Sequence, residues 1–317
     1  MNKVRLLIYY FRRNNWIFDP RFYSSYDLEK IEKPIFLLGN QGDGITFFSR
    51  MLRRNKNIVS CSGNSDYWTG ADEMQSVYEF VLPKSFRMTS ALIRPDFKSS
   101  NVEEPRSWSY AMNDLVNNYI NERVDYYEAS KFLHVIAYCT KRFKQKNVSV
   151  RFLDKSQSYL LKAISIQKSM HWTNVYFLHI TRDPYVTIYR AAIGKAGDLK
   201  RSKNLTFDEK LQIATEHWLN KANYILSIQK ELKFYYRLKF EDIIANPEKE
   251  LKKACNFLDL EFNLDMLPQE HHIIPFATKY ISRWYPLNKS VNEYKIPPEI
   301  KRRIHDKIHT TSKLLGY

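Results

Sequence analysis

KPIFLLGNQGDGITFF, residues 33–48, decides the fold. Lys33 to Gly39 reads as a buried strand, because a short unbroken apolar run suits a strand covered on both faces. The run stops at Gly39, and Gly42, Gly44 and Thr46 follow. From about Gly44 to Arg54, Ile45, Phe48, Met51 and Leu52 recur on one face of a helix. Strand, glycine turn and helix together make a phosphate cradle. Glycines let backbone N–H groups approach anionic oxygens, and the helix N-terminus adds partial positive charge. The Lys or Arg expected inside such a cradle is missing. A glycine turn can equally serve only to pack a helix closely on a strand, so a second motif is needed.

Outward from this stretch, the strand–helix alternation continues. Asn57–Ser60 is a short strand candidate. Val148–Leu153 reads as a strand and Gln157–Met170 as a helix. Val175–Thr181 is a third buried strand, ending in Arg182, Asp183 and Pro184, with a helix behind it. Thr206 and Glu209 form a capping box for a helix running to about Leu232. Its buried stripe is Leu211, Ala214, Trp218, Ala222 and Ile225. Phe234–Phe240 is a strand, Asn246 caps a helix with Pro247 at its first position, and Pro298–Leu315 is a basic amphipathic helix. This alternation predicts one three-layer α/β domain over the whole chain, with a mainly parallel central sheet and helices on both faces. Residues 61–147 break the pattern. They are polar, aromatic and mostly helical, and read as an insertion beside the ligand site.

The composition, 44% hydrophobic and 15% aromatic over 317 residues, supports a substantial core. A net charge of +16 points to an anionic partner, although Lys-rich helix faces that merely keep a protein soluble give the same number. The opening MNKVRLLIYYFRRNNWIF holds an apolar run of six residues, Leu6–Phe11, followed by Arg12 and Arg13. That is too short for a signal peptide or a membrane span. It reads as an amphipathic element packed on the domain, with peripheral membrane contact as the lesser reading. Cys61, Cys139 and Cys255 are sparse, without metal spacing, and argue for a reducing compartment. The expected location is therefore the cytoplasm.

The second motif is HITRDPYVTIYR, residues 179–190. Arg182 leaves a strand end and Arg190 falls two turns into the next helix, an arrangement suited to a planar anion clamp. Alone, Arg182 is more plainly a partner for Asp183. Beside the glycine loop it makes a two-phosphate site.

These residues carry a family resemblance. The chain resembles sulfotransferases that use 3′-phosphoadenosine 5′-phosphosulfate (PAPS). KPIFLLGNQGDGITFF is similar to the family's 5′-phosphosulfate loop. FLDKSQSYLLKAISIQ is similar to its Lys-containing segment, and YFLHITRDPYVTIYRA to its 3′-phosphate segment. RLKFEDIIANPEKELKKACNFLDLEF is similar to its later strand–helix unit, and the closing RWYPLN and LLGY also match. The resemblance covers residues 33–60 and 148–317. It implies a P-loop-like fold and sulfuryl transfer from PAPS to a hydroxyl, with a carbohydrate or glycoconjugate as the expected acceptor. It implies neither a metal nor a nucleic-acid partner. It also implies that Asn40, Gln41, Gly42, Asp43, Gly44, Ile45 and Thr46, with Arg182 and Arg190, hold the donor.

The chain departs from the family pattern at instructive places. Gly42 stands where the family carries Arg or Lys, Asp43 where it carries Ser, and Ile45 where it carries Thr. Arg190 replaces a usual Ser and Phe240 a frequent Tyr. Losing one desolvated charge contact costs about 2–4 kcal/mol. Candidate replacements are Lys155, Arg50, and Lys279 or Arg283 near the tail.

Sulfuryl transfer needs a base for the attacking hydroxyl and a cation for the leaving phosphate oxygen. Lys155 is the expected cation. In the segment SGNSDYWTGADEMQ, residues 62–75, a strict family count lands on Ser62, which cannot act as a base. Asp66 and Glu73 are the nearby carboxylates, with Asp72 adjacent. Glu73 is preferred because Trp68 and Met74 would desolvate it. A helix N-terminal carboxylate without a catalytic role has the same signature. His134, in an apolar stretch, is chemically competent but is expected to be structural. A P-loop kinase is disfavoured because Ile45 stands where its Lys would be. The remaining alternative is a non-catalytic polyanion or nucleotide binder that keeps the fold with a degraded loop.

Overall fold

The computed structural model describes residues 14–66, 73–87, 113–195, 205–269 and 295–317, with positions 7, 11 and 199. Five strands form one sheet: β1 (Ile35–Leu38), β2 (Ile58–Ser60), β3 (Arg151–Asp154), β4 (Tyr176–Thr181) and β5 (Phe234–Lys239). Their order is β2-β3-β1-β4-β5, and every neighbouring pair is parallel. Ile35 pairs with Leu153 on one side and Tyr176 on the other, which makes β1 central. β1 and β4 are buried along their whole lengths, as unbroken apolar runs require of strands covered on both faces. β5, at the edge, is mostly half-buried.

The helices are α1 (Ile45–Leu52), α2 (Met74–Val77), α3 (Asn113–Asn121), α4 (Tyr126–Phe143) and α5 (Ala163–Ser169), followed by α6 (Pro184–Ala192), α7 (Phe207–Ile228), α8 (Phe240–Ala245), α9 (Pro247–Leu258) and α10 (Pro298–Leu314). Alternation along β1 divides the core. Ile35 and Leu37 pack with Phe48 and Met51 of α1, Ile243 of α8 and Leu251 of α9. Phe36 and Leu38 face the other layer, where α4 brings Phe132 and Ile136. Phe132 stacks on Phe86 at 4.0 Å. A third cluster joins α6, α7 and α10 through Ile188, Trp218 and Ile304. No helix among the described residues is long and apolar enough to cross a membrane.

Several boundaries differ from the sequence reading. The strand expected from Val148 begins at Arg151. The helix expected over Gln157–Met170 opens as a 3₁₀ turn, Gln157–Lys162, before α5. Thr206 forms the complete capping box, whereas the Asn246 side chain makes no capping bond. Pro247 already removes one of the donors a cap would serve. In an all-parallel sheet the carboxyl ends of the strands lie along one edge, where ligands bind, and the two motifs meet there.

Candidate active site

The loop between β1 and α1 is held by close approaches that need glycine. Gly44 takes the N-cap position of α1 at φ 90°, without a side-chain cap. A Cβ at Gly44 would lie 2.2 Å from the Phe240 ring, and one at Gly39 would lie 2.6 Å from the Ile180 carbonyl. The first-turn N–H groups of a helix have no intrahelical acceptors. Ile45 and Thr46 are the first two residues of α1 and carry such N–H groups. The Ile45 side chain turns into the core, so only its backbone is available to a ligand. Asn40 and Gln41 are buried, and Asn40 Oδ1 and Gln41 Oε1 lack partners. Polar atoms left this way in a cradle suit a ligand that supplies donors or reorients the amides.

Asp43 does not point at the anion position. It is 1% exposed. One carboxylate oxygen accepts from the Asn40 N–H at 2.7 Å and the other from the Thr187 hydroxyl at 3.1 Å. Asp43 therefore ties the loop to α6, and its oxygens are spent inward. Burial pushes its carboxyl up to about 7, against the pull of the Asn40 N–H, Lys221, Thr187 and Arg182.

Lys221, on α7, reaches beneath the loop. Its ammonium donates to the Gly39 and Gln157 carbonyls, both at 3.0 Å. It is 1% exposed, and burial pushes it down to about 8, opposed by the charges of Asp43 and Glu73. Sequence reasoning missed this residue. The signal was a lysine one turn beyond Trp218, among the stripe positions Trp218, Ala222 and Ile225 of α7, where a lysine is rarely buried without a specific partner.

β4 delivers Arg182 from the other side. Its guanidinium donates to the Gly42 carbonyl at 3.1 Å and lies 4.7 Å over the Phe240 ring. Phe240, at the family's frequent Tyr position, thus packs both Gly44 and Arg182. Asp183 caps α6 through the Tyr185 N–H at 2.8 Å. Glu241 accepts from the Asp183 N–H at 2.9 Å. Arg190, half-buried, follows Thr187 by three residues on α6 and so shares its loop-facing side. Arg50 is half-buried on α1.

β3 supplies the remaining pair. Lys155 Nζ lies 2.8 Å from Glu73 Oε1, with side chains 3% and 25% exposed. Asp154 is fully buried and accepts from the Met74 and Ser156 N–H groups, each at 2.7 Å. This holds the start of α2, and with it Glu73, against the end of β3. Burial pushes the Asp154 carboxyl up to about 6. Lys155, the expected cation, is thus buried and paired with Glu73, the preferred base.

The structure separates Asp66 from this group. Asp66 accepts from the Gln145 side chain beyond α4. His134 Nε2 lies 2.6 Å from the Phe22 carbonyl, with its ring edge-on to Phe22 in the aromatic core. Lys279, Arg283, Asp72 and Trp68 lie outside the described residues. Among the described residues no group of three or more His, Cys, Asp or Glu is placed to hold a metal ion.

The profile of the Sulfotransferase family matches residues 34–264, most of the chain. No curated protein matched. Three solved structures share the fold. The sulfotransferase domain from the Synechococcus PCC 7002 olefin synthase superimposes with a TM-score of 0.51 at 14% identity, covering 93% of this chain and 99% of that one. Sulfotransferase STF9 from Mycobacterium avium gives 0.51 at 11% identity, with 92% and 79% covered. STF1 from Mycobacterium tuberculosis H37Rv gives 0.50 at 14%, with 79% and 73% covered.

Proposed function

The chain belongs to the sulfotransferase family, and on that premise we propose that it moves a sulfuryl group from PAPS to a hydroxyl of a carbohydrate or glycoconjugate. The observation that carries this reading is the meeting of three parts at one sheet edge. These are the Gly39–Thr46 loop, Arg182 on the Gly42 carbonyl, and the Lys155–Glu73 pair. The loop N–H groups and the α1 N-terminus would take the 5′-phosphosulfate. Arg182, with Arg190 one helix face away, would take the 3′-phosphate.

In this reading the acceptor oxygen attacks sulfur as the bond from sulfur to the phosphate oxygen breaks. Glu73 receives the hydroxyl proton, and Lys155 faces the charge growing on the leaving oxygen. The Lys155–Glu73 pair, in contact at 2.8 Å, keeps both groups at the end of β3 before substrate arrives, and the two part to let the sulfur lie in line between them. Residues 61–147, the stretch that carries Glu73, would form the acceptor side of the same domain. The exposed Tyr126 lines a pocket with His171 and Trp172, which lead into the amino end of β4, and so stands away from the reacting edge. The competing reading, a binder with a decayed loop, rests on the cation missing at Gly42, on Asp43 and on the +16 charge. Against it, the Asp43 carboxylate oxygens are turned inward, and Arg182 and Lys221 bring positive charge to the loop carbonyls.

The test is calorimetric titration with adenosine 3′,5′-bisphosphate, the product left after transfer. Wild type should bind at micromolar concentration, and Arg182→Ala should weaken binding by ~100-fold or more. Absence of binding by wild type at millimolar nucleotide would overturn the donor assignment. With binding established, a screen of hydroxylated acceptors against PAPS reads out the saccharide part of the proposal.

A further inference from the structure

The loop lacks its own cation, and the structure assigns that role to Lys221, a positioning residue forty residues past the β4 end that no loop motif contains. This inference rests on the donor reading above and deepens it. Two carbonyls converge on one ammonium: Gly39, where the loop leaves β1, and Gln157, where the chain leaves β3. Lys221 therefore fixes the spacing between the phosphate loop and the strand end that bears Lys155. Its charge lies directly beneath the loop, walled from water by α7 and the sheet. At such a site a unit charge acts on a nearby anion with little screening. A lysine on the loop itself would touch the donor. A lysine under the loop acts through its unscreened charge and by pinning the Gly39–Asn40 peptide, whose N–H is held in turn by Asp43.

The groups facing Lys221 fix the sign of its pH dependence. Asp43 from the loop and Glu73 ahead of α2 raise its proton affinity, while burial lowers it. His179 of β4 and His217, one turn earlier on α7, feel its charge and are both pushed down by burial, His179 to about 3. Neither histidine is charged near neutrality. Below about 8 Lys221 is protonated, and its charge is lost as the pH rises through that value. Asp43 becomes anionic as the pH rises through about 7. Both changes lower the positive potential under the loop, so anion affinity should fall with rising pH. The phosphates of the bisphosphate complete their ionisation near pH ~6–7, so the informative window is above that.

The experiment is titration of the full chain with adenosine 3′,5′-bisphosphate from pH 7.5 to 9, for wild type, Lys221→Met and Asp43→Asn. Lys221→Met should bind ~10- to 100-fold more weakly at pH 7.5 and should lose most of the wild-type pH dependence. Asp43→Asn keeps an oxygen to accept from the Asn40 N–H and offers its NH2 to the Thr187 hydroxyl while removing a carboxylate, and should bind several-fold more tightly. Equal affinity and equal pH profile in folded Lys221→Met would overturn the inference while leaving the donor reading in place, because a packing role moves only the melting temperature. If Lys221→Met does not fold, the other two proteins decide. A pH-independent wild type together with Asp43→Asn binding no more tightly would overturn it. No binding by wild type at millimolar nucleotide would overturn both this inference and the donor reading.

Discussion

The two sides of the site are built by different means. On the β1–β4 side, Asn40, Asp43, Arg182 and Lys221 are all buried, and the last three hold one another or the backbone through short hydrogen bonds. Geometry there is set by close packing and by charges turned inward. On the β3 side, Glu73 stands at the N-cap of a four-residue helix without a capping bond, and a quarter of its side chain is open. The first side suits a constant ligand that must be held in one pose. The second suits a ligand that differs from one family member to the next. The contrast implies that damage on the first side should cost binding and stability together, whereas damage on the second should cost rate alone.

The largest effect should come from Gly44→Ala. The added Cβ would enter the Phe240 ring at 2.2 Å, on a residue at φ 90°. Strain of both kinds should destabilise the protein by ~2–5 kcal/mol in denaturant unfolding. Bisphosphate binding should disappear with it, because Phe240 also carries the Arg182 guanidinium. Adding Phe240→Ala should recover part of the stability and little of the affinity. A stable Gly44→Ala protein that binds normally would show the loop to be far more yielding than its packing suggests.

Glu73→Gln addresses the other side. The rate of transfer at saturating donor should fall by ~10²–10⁴-fold, the range for loss of a general base. Bisphosphate affinity should stay within about threefold of wild type, since Glu73 ranks behind Asp43 in its effect on Lys221. A parallel loss of affinity would break the contrast, and would mean that Lys155 needs Glu73 in order to reach the donor.

This difference also explains what could be read from residue order. β1, the glycine turn and Arg182 were legible because backbone geometry and local spacing determine them, and a run such as IFLLG or HITRDP carries the whole signal. The inward course of Asp43 was not legible. Its partner Thr187 lies 144 positions away, and only the crossing of α6 behind β1 brings the two together. Lys221 was hidden for the same reason, being 182 positions from the carbonyl it holds. The Glu73–Lys155 pair was foreseen as two separate candidates with opposite roles. Their contact follows from Asp154, which receives the Met74 N–H and seats α2 on β3. Asp66 is closer in sequence to the expected position, Ser62, than Glu73 is, but the turn joining Ser60 and Gly63 folds its segment back toward α4, where Gln145 takes it.

The smallest predicted effect tests how far the rigid side extends. The Tyr317 hydroxyl lies 3.1 Å from Thr181 Oγ1 and 3.2 Å from Glu241 Oε2, and it donates to the carboxylate. The other oxygen of Glu241 accepts from the Asp183 N–H. A relay thus runs from Tyr317 through Glu241 to the peptide that follows Arg182. Burial and the neighbouring Glu241 push the phenol well above the usual tyrosine range, so it stays a donor at any working pH. Lys239 holds the ring in place, with its ammonium 4.7 Å from the ring centre and 2.5 Å from the Gly316 carbonyl. Tyr317→Phe keeps the ring and that cation contact and removes the hydroxyl's bonds to Thr181 and Glu241, each worth about 1 kcal/mol. Glu241 keeps the Asp183 bond, so Arg182 should loosen rather than move. Donor affinity should fall ~2- to 5-fold, with kcat at saturating donor unchanged. Unaltered affinity would place the limit of the rigid side at Phe240 and the Gly42 carbonyl, with the Tyr317 segment serving only to cover the strand ends.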